Sequence, residues 1–76
     1  MTFKPLDVVV LQKELPRHAL RTGDVGTVVD VYEPDGLEVE FLSASGDTEA
    51  LVTLKDSDVR AAAKNDLLTV RSYGVA

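Results

Sequence analysis

Cysteine and tryptophan are absent from this 76-residue sequence, and aromatic residues amount to two Phe and two Tyr. Without cysteine there is neither a disulfide framework nor a thiolate metal site, which fits a reducing compartment. Long apolar runs are also missing. Val8-Val9-Val10-Leu11 is the longest early run, too short for a signal-peptide core or a membrane span. The chain is therefore expected to be soluble, unexported and cytoplasmic, with no membrane contact. Basic charge is scarce: eight Lys and Arg against thirteen Asp and Glu give a formal net charge of −5. Sequence-independent nucleic-acid binding draws on cations that displace counterions from phosphates, so an acidic domain starts at a disadvantage there. Nucleic acid is accordingly a disfavoured partner.

What remains is enough for one small domain. Apolar residues make up 45% of the chain, a globular proportion. Val, Leu and Thr are arranged with the period of two that marks strands. Segment 6–11 is rich in β-branched residues and reads as the first strand. Segment 12–24 is a polar loop carrying Pro16, His18 and Gly23. Segment 25–33 is the second strand, and Glu33-Pro34-Asp35-Gly36 is a tight turn in which Gly36 is expected at positive φ. Leu37-Glu38-Val39-Glu40-Phe41 alternates strictly, so Leu37, Val39 and Phe41 face the core and the two glutamates face water. Segment 43–47 turns again, and 49–54 is a fourth strand with Ala50, Val52 and Leu54 inward. Segment 55–58 suits one helical turn capped by Asp56 and Asp58. Val59-Arg60 starts a short closing strand, although Ala61-Ala62-Ala63-Lys64 has helical propensity. Gly23 is expected to end the long loop at positive φ, and Gly26, inside a strand, implies a bulge or a close approach.

The expected fold is all-β: a small SH3-like barrel of about five strands, with a short helical turn before the last strand. Curling the sheet encloses one core and limits exposed edges. The barrel is placed at residues 3–62 and a C-terminal extension at 63–76. In that extension Leu68, Val70 and Tyr73 are expected to pack back on the barrel or to join a second chain at a sheet edge, which makes a homo-oligomer a candidate state.

Candidate chemistry is thin. His18 is the sole histidine and lies in a polar loop beside Arg17. The serines sit in turns or in the tail without a nucleophile-elbow context. Asp56 and Asp58 lack the rest of a calcium loop. Gly23 and Gly26 are followed by neither a lysine nor a helix, so they form no phosphate loop. No catalytic, cofactor or metal residues are assigned, and the chain is expected not to be an enzyme. Charge placement carries more. Asp30, Glu33, Asp35, Glu38 and Glu40 follow one another without a base, whereas the first loop carries Lys13, Arg17 and Arg21 against Glu14. Such a lopsided field steers encounter and orientation. The candidate partner-binding residues are thus Lys13, Arg17, His18 and Arg21 in the loop, with Tyr32, Glu33, Asp35, Glu38 and Glu40 in the hairpin. The expected function is a non-enzymatic protein-binding module that uses these two regions.

Several stretches resemble a known family. They are Phe3-Lys4-Pro5-Leu6-Asp7-Val8-Val9, Leu15-Pro16, the run Leu20-Arg21-Thr22-Gly23-Asp24-Val25-Gly26-Thr27-Val28-Val29-Asp30-Val31-Tyr32, its continuation through Glu33-Pro34-Asp35-Gly36 to Phe41, and Ala50-Leu51-Val52-Thr53-Leu54. Together they are similar to the small bacterial domain-of-unknown-function 4926 family over about residues 3–60. The resemblance implies an SH3-like fold, no transferable catalytic residues and a partner-binding role, such as an antitoxin or immunity partner of a neighbouring gene product. The glycine–valine strand also resembles the KOW motif of ribosomal and transcription proteins, which implies a nucleic-acid or ribosome-associated domain. KOW motifs come with basic surroundings, and here the region is acidic.

Overall fold

A computed structural model gives the architecture, described over residues 2–74. Five strands form one antiparallel sheet: β1 (Val8–Leu11), β2 (Val25–Tyr32), β3 (Gly36–Leu42), β4 (Thr48–Lys55) and β5 (Val59–Ala61). Their order across the sheet is β4-β3-β2-β1-β5. The all-β expectation holds, and the only helical pieces among the described residues are two 3₁₀ turns, Pro16–His18 and Asp56–Asp58. Closure into a barrel is not made. β4 and β5 are the two edges of the sheet and do not pair with each other. The short β5, three residues long, reaches only β1, and the turn Asp56–Asp58 separates it from β4.

The alternation seen in the sequence sets which face is buried. In β3, Leu37, Val39 and Phe41 are buried, and in β4 so are Ala50, Val52 and Leu54. Opposed pairs Leu37–Leu54, Val39–Val52 and Phe41–Ala50 align these side chains across the ladder. Val9, Leu11, Val28, Leu20 and Val59 complete the core, and Phe3, Leu15 and Val31 pack at its margin. Fully buried aliphatic side chains of this size each stabilise the fold by about 1.5–3 kcal/mol. β2 departs from simple alternation. Its register with β3 shifts between Val28 and Asp30, a bulge that leaves Val29 exposed and bends the strand.

Glycine explains one left-handed loop end and two tight places. Gly23 sits at φ +96° with open space around it, as expected for a loop end. Gly26 pairs with Val9 inside the sheet. A Cβ there would lie 2.6 Å from Val39 Cγ1 and 2.9 Å from Phe41 Cε1, so its role is close approach to the core. The bulge lies two residues further on. Gly36, by contrast, is not at positive φ. A Cβ on it would meet Tyr32 Cβ at 3.1 Å, so it is small because its cross-strand partner is close. Residues 61–64 form no helix, because Ala61 pairs with Val9 and is drawn into β5. The first strand starts later than expected: Leu6 has φ +78° and is exposed, outside β1.

Candidate functional site

The loop from residue 12 to 24 is long, yet its backbone is pinned at every level. At its base Leu11 N–H donates to Asp24 O and Gly23 N–H donates to Leu11 O, each at 2.8 Å. Midway, Leu15 and Leu20 exchange backbone hydrogen bonds of 3.0 and 3.2 Å. That bridge lets Leu20 enter the core while the tip turns over in the 3₁₀ segment Pro16–His18. Ala19 ends this segment in the left-handed region at φ +55°, an uncommon conformation for a residue with a Cβ.

Two carboxylates tie the flanks. Glu14 Oε2 accepts from Thr22 N–H at 2.6 Å, and this bond holds the Glu14 carboxyl below its ordinary value. Asp24 accepts from Arg21 N–H at 2.7 Å and from Arg71 Nε at 2.9 Å, and Arg71 Nη2 reaches its other oxygen. Burial works to raise the Asp24 pKa, but the hydrogen bonds from Arg71 and Arg21 outweigh it and the net shift is downward. Arg71 Nη2 also donates to Ala19 O at 2.9 Å, and Tyr73 O–H donates to His18 O at 2.6 Å. The chain after β5 therefore returns to brace the loop. It is tied near its start as well, where Arg60 makes a bidentate pair with Asp66 at 2.8 and 3.0 Å. That pair, with Ala63 N–H, brings the Asp66 pKa down to about 2.

This bracing corrects one expectation. The tail does fold back, but not through its aliphatic residues. Leu67, Leu68 and Val70 are 89%, 73% and 99% exposed, and the polar grips of Arg71 and Tyr73 hold the segment. Arg71→Ala should therefore free residues 65–74 and speed their cleavage in limited proteolysis. Acid should act in the same direction. Because the Asp24 pKa is depressed in the fold, its contribution is complete above the ordinary value of 3.8 and is lost as pH falls through the folded value. The wild type should thus become protease-sensitive below about pH 4, and Arg71→Ala should show less of this acid dependence.

The loop tip stands across a groove of about 450 Å³ from β4 and the second 3₁₀ turn, lined by Lys13, Arg17 and His18 on one side and Val52, Leu54 and Asp58 on the other. Lys13 Nζ lies 3.7 Å from Asp58 Oδ1, and Arg17 and His18 are exposed. Arg21 lines a second groove, of about 560 Å³, between residues 20–25, residues 41–44 and the tail at 68–73.

The acidic hairpin is elsewhere. Glu33 and Asp35 lie exposed in the turn between β2 and β3, where the Glu33–Pro34 peptide is cis. Asp56 N–H donates to Asp35 O at 2.8 Å, which joins this turn to the second 3₁₀ turn. Glu38 and Glu40 are half-buried on the outer face of β3 and accept from Thr53 and Thr48 hydroxyls, each at 2.6 Å. Tyr32 is 45% exposed. Partial desolvation, with Glu38 and Asp30 nearby, pushes its phenol pKa up. None of Glu33, Asp35, Glu38 and Glu40 lines either groove. The structure thus gathers Lys13, Arg17 and His18 at one groove and sets the hairpin acids apart from them. Arg71, Tyr73 and Asp58 were not among the expected site residues. The first two act on groups more than 45 positions earlier; Tyr73 was expected to pack back on the barrel as a tail aromatic, whereas no local pattern announces the Arg71 contact.

Among the described residues no group of three or more His, Cys, Asp or Glu side chains could hold a metal ion, and no helix is long and apolar enough to cross a membrane. A family model described as a domain of unknown function, DUF4926, matches residues 6–61. The chain belongs to the DUF4926 family. The match ends at Ala61, the last residue of β5, so the DUF4926 region takes in the whole sheet and the loop, while the bracing residues Arg71 and Tyr73 lie beyond it. No curated protein and no solved structure matches the chain.

Proposed function

We propose that this DUF4926 chain is a non-enzymatic protein-binding module that takes an acidic segment of its partner at the tip of the first loop. The supporting observation is preorganisation. The loop is bridged at Leu15–Leu20, closed by Glu14 and Asp24, and braced from outside by Arg71 and Tyr73. A loop already held in one conformation loses little entropy on binding, so weak surface charges can be turned into affinity. Arg17 and His18 project from that fixed tip beside Lys13. The acids of the hairpin, on another part of the surface, orient the encounter by repelling a like-charged partner from the wrong face.

Arg17→Glu together with Lys13→Glu tests this reading. Proteins retained by the immobilised wild type at low salt should be lost from the variant at least tenfold, about 1.4 kcal/mol. The same proteins should wash off the wild type as salt rises. Equal retention by both forms at low salt would remove the loop from the contact surface.

A further inference from the structure

β4 is an edge of the sheet, and both of its ends are closed to further pairing. Phe41 faces Ala50 whereas Leu42 faces Thr48, so Glu49 is the extra residue of a bulge, which turns the edge out of line. At the other end Lys55 N–H donates to Asp58 Oδ2 at 2.9 Å. Between these stops the ladder is regular. Asp56 N–H donates to Asp35 O, continuing the register in which Leu37 faces Leu54 and Val39 faces Val52. Hydrogen-bonded pairs alternate in an antiparallel ladder. Residues 50, 52 and 54 therefore bond to β3, and the N–H and C=O groups of Leu51 and Thr53 point away from it. Those four groups have no partner among the described residues, and open groups of this kind template another strand. The groove under the loop tip runs beside this same stretch, with Val52, Thr53 and Leu54 as one wall and Lys13, Leu15, Pro16, Arg17 and His18 as the other. Its acids are engaged: Asp58 holds Lys55 N–H and Glu14 holds Thr22 N–H. Arg17 makes no ion pair among the described residues. The outer face of the sheet has the opposite sign, since Glu38 faces Thr53 and Glu40 faces Leu51.

We infer that the acidic segment of the partner lies in this groove as a short extra strand, antiparallel to β4 and hydrogen-bonded to Leu51 and Thr53. The inference rests on the acidic-segment reading above and adds the conformation and the sequence pattern that the site selects. In an antiparallel pair Leu51 and Thr53 each exchange both backbone bonds with the residue opposite, so two residues of the partner satisfy all four open groups. Addition of a strand to a sheet edge draws its affinity from such main-chain bonds and its specificity from alternate side chains. Side chains of an extended segment point to opposite faces in turn, and opposed residues share a face. Val52 and Leu54 face the core side, so the residues set opposite them enter the groove, where Lys13 and Arg17 favour acids. The residues set opposite Leu51 and Thr53 lie over Glu40 and Glu38, where acids are repelled. The segment that fits therefore alternates acidic residues with small uncharged ones. A helical acidic segment would satisfy none of the four groups, because its own N–H and C=O groups are already paired.

Nuclear magnetic resonance titration of the full chain with capped heptapeptides reads the outcome. The probe alternates four threonines with three glutamates. It should bind at low salt with a dissociation constant of about 1 mM or tighter. The amide signals of Leu51 and Thr53 should shift, and their hydrogen exchange should slow as the peptide saturates. N-methylation of the threonines, whose amides face β4, should weaken binding at least tenfold. N-methylation of the glutamates, whose amides face away, should leave it unchanged. Lysine in place of glutamate should abolish binding. A glutamate peptide that binds but leaves the Leu51 and Thr53 amides unmoved, or that loses as much to methylated glutamates as to methylated threonines, would overturn the strand pairing while the loop-tip reading stands. No binding by the glutamate peptide, or equal binding by the lysine peptide, would overturn both.

Discussion

Leu37→Ala should lower the melting temperature by roughly 10–30 °C, measured by far-ultraviolet circular dichroism. Leu37 is fully buried and sits between Val31 of β2 and Leu54 of β4. Removing three carbons from such a site forfeits their transfer energy and leaves a cavity that a small sheet cannot collapse around, a loss of about 2–5 kcal/mol. A chain of this length has a total stability of about 4–11 kcal/mol, so the variant should sit near the edge of folding at physiological temperature. A shift below about 3 °C, well under what 1 kcal/mol produces in a domain of this size, would mean that the inward face of β3 had been assigned the wrong way round.

Gly26→Ala should also destabilise the fold, by less and for the opposite reason. The added methyl has nowhere to go: Val39 Cγ1, Phe41 Cε1 and the Glu40 carbonyl lie 2.6, 2.9 and 3.1 Å from the site. Val39 and Phe41 are themselves buried, and the Glu40 carbonyl belongs to a strand that is paired on both sides. Overpacking of this kind costs about 1–3 kcal/mol. Against it stands a gain of up to about 1 kcal/mol from stiffening the unfolded chain, so the net change remains destabilising. Gly26→Ala combined with Val39→Ala tests the cause. If the clash is responsible, the double variant should lose less than the sum of the two single losses, because the contact at 2.6 Å is gone.

These two positions also show what was legible in the sequence. The inward role of Leu37, Val39 and Phe41 followed from alternation alone, because β3 is flanked on both sides and one of its faces is apolar throughout. The role of Gly26 was legible as a bulge or a close approach, and only the fold decides for the approach, to Val39 and Phe41. The bulge between Val28 and Asp30 was hidden, since Val28 and Val29 are identical in sequence and the offset is decided by pairing with β3. Barrel closure was an extrapolation from strand count, and it failed at β5, whose three residues reach only β1. At the candidate site the loop cations were visible as a local excess of charge. Their separation from the hairpin acids was not, because strand order across the sheet decides it. The tail was legible as apolar and hence as unlike a free end, and of the residues it pointed to Tyr73 does reach the loop, but Leu68 and Val70 stay exposed and Arg71, not named, makes the other contact, through an aspartate 47 positions away.

The place of β1 in the sheet has a consequence for how the protein is made. Of the five strands β1 is the first to be synthesised, yet it lies between β2 and β5, and β5 is the last of the five. Val9 and Leu11 therefore wait, half-sheltered, until residues 59–61 have left the ribosome and can lie down beside them. Pairings between such distant parts of a chain form late and slowly. Nascent chains stalled before residue 59 should bind hydrophobic-seeking chaperones, and those released a few residues later should not.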